Sequence, residues 1–338
     1  MDPMITQPPA QGSNDADAQR TLPFPQKTLP RPIQCVGVVG LGHMGLAFAR
    51  NLLSAGYSLV AYDRDPKPAG QLQAEGASAA ARLADLRACD AVRTSLPDDD
   101  ALAAVALSPQ GLADILPPGA IHISMSTVSP GLSRRLAEAH AARGQAFVAA
   151  PVLGNPDLAR ARQLFVLAGG PPEAIERARP VLETLGQRVF VMGDDPSAAS
   201  LMKLAGNVLT ATTLQCMGEV LALVRKAGTD PHLAFGVLTG TLFDGKVHKT
   251  YGGKIVEGRY SPAGMAAPLA VKDLRLALAE AERQAVPMPA ASLTHDRLVG
   301  VVARGWGALD WSALGLLAAR EAGMEDGSGT AATTRRQA

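Results

Sequence analysis

Cysteine is scarce in this 338-residue chain. Cys35, Cys89 and Cys216 are the only three, with no CxxC pair and no histidine cluster at metal-ligand spacing. That pattern argues against a structural metal and fits a reducing cytoplasm. An excess of one charge is also missing: 32 basic against 31 acidic residues leave a net charge of +1, no surplus with which to grip nucleic acid or an anionic membrane. No Ser, His and Asp stand at nucleophile-elbow spacing, and no 20–50-residue period repeats, so hydrolase chemistry and solenoids are set aside. Residues 1–32, rich in Pro, Gln, Asp and Ser, lack the apolar central run of a secretory signal and read as a disordered leader. Residues 325–338 read as a loose tail.

What the chain does have is apolar material, 47% of its residues, enough for two domains with a large core. From Cys35 onward β-branched runs at 35–39, 58–62, 91–95, 120–124, 146–149, 164–168 and 188–192 alternate with helical stretches at 44–55, 100–107 and 130–143. This is the rhythm of βαβ units and an α/β fold with a doubly wound, mainly parallel sheet, expected over residues 33–195. Thr127 and Ser129 stand as caps before the third helix, and the acidic run 98–100 as a solvated turn and cap. Past residue 195 the strands stop, and an all-α domain is expected over 196–324. Its first helix, 196–226, would be about 45 Å long at 1.5 Å per residue. The apolar stretch 201–224 contains Lys203, Asn207, Gln215 and Glu219, so it reads as a buried central helix rather than a membrane span. A helix that apolar needs cover on nearly every side, from its own domain or from the same helix of another subunit.

"VGVVGLGHMG" sets Gly40, Gly42 and Gly45 in GxGxxG spacing between a strand and a helix. Gly40 permits the sharp turn, Gly42 lets a pyrophosphate approach the backbone, and Gly45 lets helix and sheet pack closely. Leu41, His43 and Met44 lie between them, His43 offering its backbone rather than its ring, and the helix N-terminus supplies free N–H groups for phosphates. Leu96 and Pro97, after the strand at 91–95, are counted with the same cofactor site. The strand at 58–62 ends in Asp63, 18 residues past Gly45, where an acid can accept hydrogen bonds from a ribose 2′-hydroxyl. Its charge favours NAD by repelling a 2′-phosphate, whereas the adjacent Arg64 leaves NADP open.

A nicotinamide cofactor moves hydride, so the protein must orient a substrate and move one proton. In "SAASLMKLAGNVL" Lys203 and Asn207 share one helical face, and Gly206 leaves the adjoining surface open. Burial and a second cation, for which Lys272 is the candidate, would bring the Lys203 pKa toward neutrality; taken alone, Lys203 also fits a surface helix position. Ser126 and Thr127 follow a strand end, either as ligand contacts or as a capped helix start. Gly154 and Asn155 form a turn that either presents N–H groups to a carboxylate or merely links strands.

The motifs "GLGHMGLAFARNLLSAGY", "STVSP", "APVLG", "LMKLAGNVL" and "KDLRLALAEA", in this order over residues 35–325, resemble the β-hydroxyacid dehydrogenases. The resemblance implies a Rossmann-type domain and an all-α domain that joins subunits through its long helix into dimers or tetramers. It implies Lys203 as catalytic acid/base, Asn207 as substrate ligand, and Ser126 and Lys272 near the cofactor. One departure stands out. Where the family reads D-A-P-V-S-G-G, this chain has Ala149, Ala150, Pro151, Val152, Leu153, Gly154 and Asn155. Losing the serine hydroxyl at a carboxylate site removes a charged hydrogen bond worth about 1.5–3 kcal/mol and makes the pocket more apolar. The expected activity is hydride transfer between NAD(P) and a hydroxyacid or its aldehyde or ketone partner. The alternatives are NADPH-dependent reduction of cyclic imines or bulky carbonyl compounds, which the altered loop suggests, and a non-catalytic cofactor-binding scaffold.

Overall fold

Among the described residues nine strands form one sheet: β1 (Cys35–Val39), β2 (Ser58–Tyr62), β3 (Ser78–Ala79), β4 (Ala91–Thr94), β5 (Ile121–Ser124), β6 (Ala146–Ala149), β7 (Val152–Leu153), β8 (Leu164–Gly169) and β9 (Gly186–Gly193). This computed structural model describes residues 32–324, so the expected leader up to residue 31 and the tail 325–338 lie outside the described residues. The connections are α1 (His43–Ser54), α2 (Pro66–Ala74), α3 (Asp99–Leu107), α4 (Leu112–Ile115), α5 (Pro130–Ala141), α6 (Pro156–Arg160) and α7 (Pro172–Glu183). Beyond β9 come α8 (Pro196–Lys226), α9 (Pro231–Thr239), α10 (Lys246–Glu257), α11 (Ala267–Arg283), α12 (Pro289–Val301) and α13 (Leu314–Glu321).

The strand order is β3-β2-β1-β4-β5-β6-β8-β7, with β9 beside β8, and every pair from β3 to β6 is parallel. Order 3-2-1-4-5-6 is that of the Rossmann-type sheet, whose chain reverses direction between β1 and β4 and opens a crevice there at the carboxyl edge. Toward the other edge the sheet becomes mixed, since β8 runs antiparallel to β6 and β7. The seven expected strands are all present, within two residues of the expected bounds. β3 and β7 had no sequence signal because two residues cannot display a period.

Ser129, and not Thr127, caps α5 by accepting from the Leu132 amide, while Asp98 caps α3 by accepting from Ala101. Asp99 takes the Ser129 hydroxyl at 2.5 Å, so the acidic run serves caps, as expected. On one face of the sheet a fully buried chain joins Thr94 Oγ1, His122 Nε2 (3.0 Å), His122 Nδ1, His140 Nε2 (2.8 Å), His140 Nδ1 and Gln145 Oε1 (2.6 Å). Gln145 Nε2 donates to the Ala113 and Leu116 carbonyls, so Gln145 Oε1 can only accept. His140 Nδ1 therefore carries a proton, His140 Nε2 accepts from His122 Nδ1, and Thr94 donates to His122 Nε2. Both rings are neutral in this pattern, and burial holds both pKa values below the ordinary histidine value.

α8 is the axis of the helical half. Asp195 caps it by accepting from the Ser197 amide and hydroxyl, Pro196 opens it, and Arg225 and Lys226 complement the dipole at its end. Its first turns are tied to the sheet half through α5, by Arg134 Nη1 to Ser197 Oγ (3.0 Å) and Ser133 Oγ to Ser200 Oγ (2.7 Å). Farther along it packs against α10, α11 and α13. Leu204, Leu214, Leu274, Leu298 and Leu314 are fully buried here, each contributing about 1.5–3 kcal/mol. α8 is long and apolar enough to cross a membrane, yet Lys203 and Asn207 lie on its buried face. Leu201, Met202, Leu209, Val220 and Leu223 on its other side are exposed.

Candidate active site

The glycine turn follows β1 directly. Gly40 has φ of +86°, and a Cβ there would lie 2.3 Å from the Ser95 carbonyl oxygen. A Cβ on Gly45 would lie 2.0 Å from Gly40 O, so α1 reaches the turn only because both positions are glycine. Gly42, by contrast, faces open space and caps α1 without a side-chain hydrogen bond, and the first turn of α1 has no acidic side chain. This bare helix N-terminus with an unobstructed approach fits a dinucleotide's diphosphate. Leu41 is buried, Met44 half-buried and His43 exposed. Asp63 Oδ2 accepts from the Leu41 amide at 2.6 Å and Oδ1 from the Asp65 amide at 2.9 Å. A carboxylate offers about four lone-pair positions, so two remain for ribose hydroxyls. Arg64 is exposed beside it.

The loops after β4 and β5 complete this edge. Ser126 Oγ accepts from the Leu96 amide at 2.8 Å, fastening one loop to the other. Lys272, from α11, donates to the carbonyls of Pro97 (2.8 Å) and Thr127 (2.6 Å) and pairs with Asp273 Oδ1 at 2.9 Å. Lys272 is thus a clasp between the helical half and both loops.

Lys203 sits one layer deeper, 9% exposed. Its Nζ donates to Asn207 Oδ1 at 3.1 Å, and Asn207 Nδ2 donates to Asp273 Oδ2 at 2.5 Å. Burial lowers the Lys203 pKa, the Asp273 carboxylate opposes that shift, and the Lys272 charge adds to it. A buried amine with a depressed pKa and a fixed acceptor can both give and take a proton. Asp273 is the residue that sequence reasoning missed. Its signal was a carboxylate on the apolar face of α11, in register with the buried Ala270, Leu274 and Ala277.

Of the altered loop, Leu153 packs against α8 at Gly206, one residue before Asn207. A Cβ on Gly206 would lie 2.9 Å from Leu153 Cδ2, so the surface expected to stand open beside Gly206 is covered by this side chain. Gly154, at φ of +142°, faces Leu158 and Leu164 instead, and Asn155 Oδ1 accepts from the Leu158 amide as the cap of α6. Among the described residues no three His, Cys, Asp or Glu side chains gather to hold a metal ion.

Comparison with known proteins bears on the same elements. Residues 35–193 match the NAD binding domain of 6-phosphogluconate dehydrogenase, and 197–317 match the NAD-binding domain of NADP-dependent 3-hydroxyisobutyrate dehydrogenase. The chain is 40% identical to the uncharacterized oxidoreductase YfjR of Bacillus subtilis, over 82% of this chain and 98% of that one. It is 32% identical to 3-hydroxyisobutyrate dehydrogenase of Pseudomonas aeruginosa, over 77% of this chain and 90% of that one. The crystal structure of 3-hydroxyisobutyrate dehydrogenase from Salmonella typhimurium superposes with a TM-score of 0.76 at 29% identity, covering 84% of this chain and 99% of that one.

Proposed function

Because this chain belongs to the β-hydroxyacid dehydrogenase family of NAD(P)-dependent oxidoreductases, we propose that it interconverts a hydroxyacid and its aldehyde or ketone, with Lys203 as general acid/base. The observation that carries this reading is the buried chain Lys203–Asn207–Asp273, set beside the loops that close the cofactor edge. The bound nicotinamide supplies or accepts the hydride. In reduction the Lys203 ammonium donates its proton to the carbonyl oxygen, and in oxidation the neutral amine takes the hydroxyl proton. Asn207 holds Lys203 in place, and Lys272 keeps the loops at Pro97 and Thr127 against the helical half.

Asp63 supports NAD as the preferred cofactor, through its charge at the end of β2. The exposed apolar side of α8 supports a second copy of the chain as the partner, and the three free thiols suit a cytoplasmic location. Leu153 against Gly206 favours a second reading, in which the substrate is a bulky neutral carbonyl compound or a cyclic imine. Steady-state assays with NADH and NADPH against hydroxyacids, semialdehydes and imines separate the two. Turnover of a hydroxyacid pair that falls by about a thousandfold in Lys203→Ala is the expected result. Turnover of imines alone selects the second reading, and near-normal turnover in Lys203→Ala sinks the role of the lysine.

A further inference from the structure

Arg93 has no exposed surface and is the largest fully buried side chain among the described residues. It rises from β4 into the space beneath the first turn of α1. Its contacts there are poor for a cation. Nη2 reaches Gly45 O at 3.4 Å, Nη1 reaches Met125 Sδ at 4.0 Å, the guanidinium lies 4.9 Å over the Phe48 ring, and Nε has no partner. None of these groups is an anion. Burial pulls the Arg93 pKa down to about 9, which still leaves it charged at neutral pH.

Holding an uncompensated guanidinium out of water costs several kcal/mol, and an apolar side chain of similar length would fill the same space without that cost. One long hydrogen bond and one ring contact are all that the charge returns to the fold against that cost. Its location gives it another use. Nη2 lies 3.7 Å from the point where a Cβ on Gly45 would stand, within the turn whose outer side faces open space at Gly42. The nearby Asp63 carboxylate is held by the Leu41 and Asp65 amides.

We propose that Arg93 is an electrostatic anchor for the cofactor diphosphate, acting from beneath the glycine turn and reinforcing the positive end of α1. Buried as it is, its charge is little screened by water or salt, so it acts at a short distance without touching the ligand. The missing counter-ion is then the cofactor itself, and the guanidinium is compensated only when the dinucleotide is bound. The inference rests on the cofactor class alone and is independent of the substrate.

The test compares Arg93→Met, Arg93→Gln and Arg93→Lys with the unaltered full-length chain. NADH binding is read by fluorescence, ADP-ribose binding by calorimetry, and the melting temperature of the ligand-free protein by calorimetry. Arg93→Met and Arg93→Gln should weaken both ligands about tenfold, a loss of about 1.4 kcal/mol. Arg93→Lys should stay within about threefold, and ligand-free Arg93→Met should melt at or above the unaltered temperature. Arg93→Met binding NADH as tightly as the unaltered chain overturns the proposal. So does Arg93→Lys as weak as Arg93→Met, ligand-free Arg93→Met melting well below the unaltered chain, or failure of both uncharged variants to fold. If NADH binds with this pattern but no hydroxyacid turns over, the substrate reading fails and the anchor stands.

Discussion

Asp273 accepts the Nδ2 proton of Asn207 at 2.5 Å, and this fixes Asn207 with its Oδ1 toward the Lys203 ammonium, 3.1 Å away. A carboxylate can only accept and an ammonium can only donate, so the amide between them has one satisfactory orientation. The same carboxylate opposes the effect of burial on the Lys203 pKa.

Asp273→Asn should therefore act on Lys203 in two ways. The new amide no longer dictates how Asn207 is turned, which should lower kcat by about 10²-fold. Without the negative charge the Lys203 pKa falls further, so the rise of oxidation with pH should shift to lower pH and reduction, which needs the ammonium, should fade at lower pH. A kcat profile that drops without moving along the pH axis would leave Asp273 a purely structural role.

Leu153→Ser should place a hydroxyl against α8 at Gly206, next to Asn207 in the chain. A charged hydrogen bond worth about 1.5–3 kcal/mol corresponds to a roughly 10- to 150-fold gain in kcat/KM for small hydroxyacids. Activity on bulky neutral carbonyl compounds should decline in the same variant. Unchanged discrimination between the two substrate classes would show that Leu153 does not face the substrate.

Asp63→Asn keeps an acceptor for the Leu41 amide but removes the charge. The unaltered chain should bind NADH more tightly than NADPH, and the variant should narrow that ratio by about tenfold. Equal ratios in both proteins would shift the choice of cofactor to Arg64.

The pair His122 and His140 makes stability depend on pH, with a definite sign. Their folded pKa values lie below the unfolded value of about 6.5, so below that pH the unfolded chain binds protons that the folded chain does not. Urea midpoints should fall as pH drops from 7.5 to 5.5. His140→Gln should flatten this slope, whatever its stability at neutral pH, and an unchanged slope would clear His140 of the effect.

Leu209 and Leu223, 67% and 70% exposed, mark the open side of α8. Light scattering should show a dimer or tetramer for the unaltered chain and smaller species for Leu223→Asp. A unaltered chain that is monomeric at micromolar concentration excludes the subunit contact.

The parallel core of the sheet and the long helix were legible because each rests on a local pattern: β-branched runs bounded by turn residues, and an unbroken apolar stretch opened by Asp195 and Pro196. That Lys203 and Asn207 share one face was legible from their four-residue spacing, whereas their roles came only from the family resemblance; the position of Asp63 was legible at a strand end. Asp273 was not, because its partner is 66 residues away and only the packing of α11 on α8 joins them. The fate of Gly154 and Asn155 was hidden for a related reason. A turn residue can serve a ligand or cap a helix, and the decision here falls to α6, whose five residues leave no periodic trace. Arg93 was invisible as well, since a strand residue does not announce which layer its side chain enters.

α8 is a single rod of 31 residues. Its first turns are bolted to α5 through Ser197 and Ser200, Lys203 follows one turn later, and Leu223 protrudes near the far end. No proline or hinge interrupts it after Pro196. A partner docked at the far end would therefore bear on the same rod that carries Lys203. If copies of the chain pair through that end, as proposed, then assembly and the aim of the proposed proton donor become, mechanically, one adjustment.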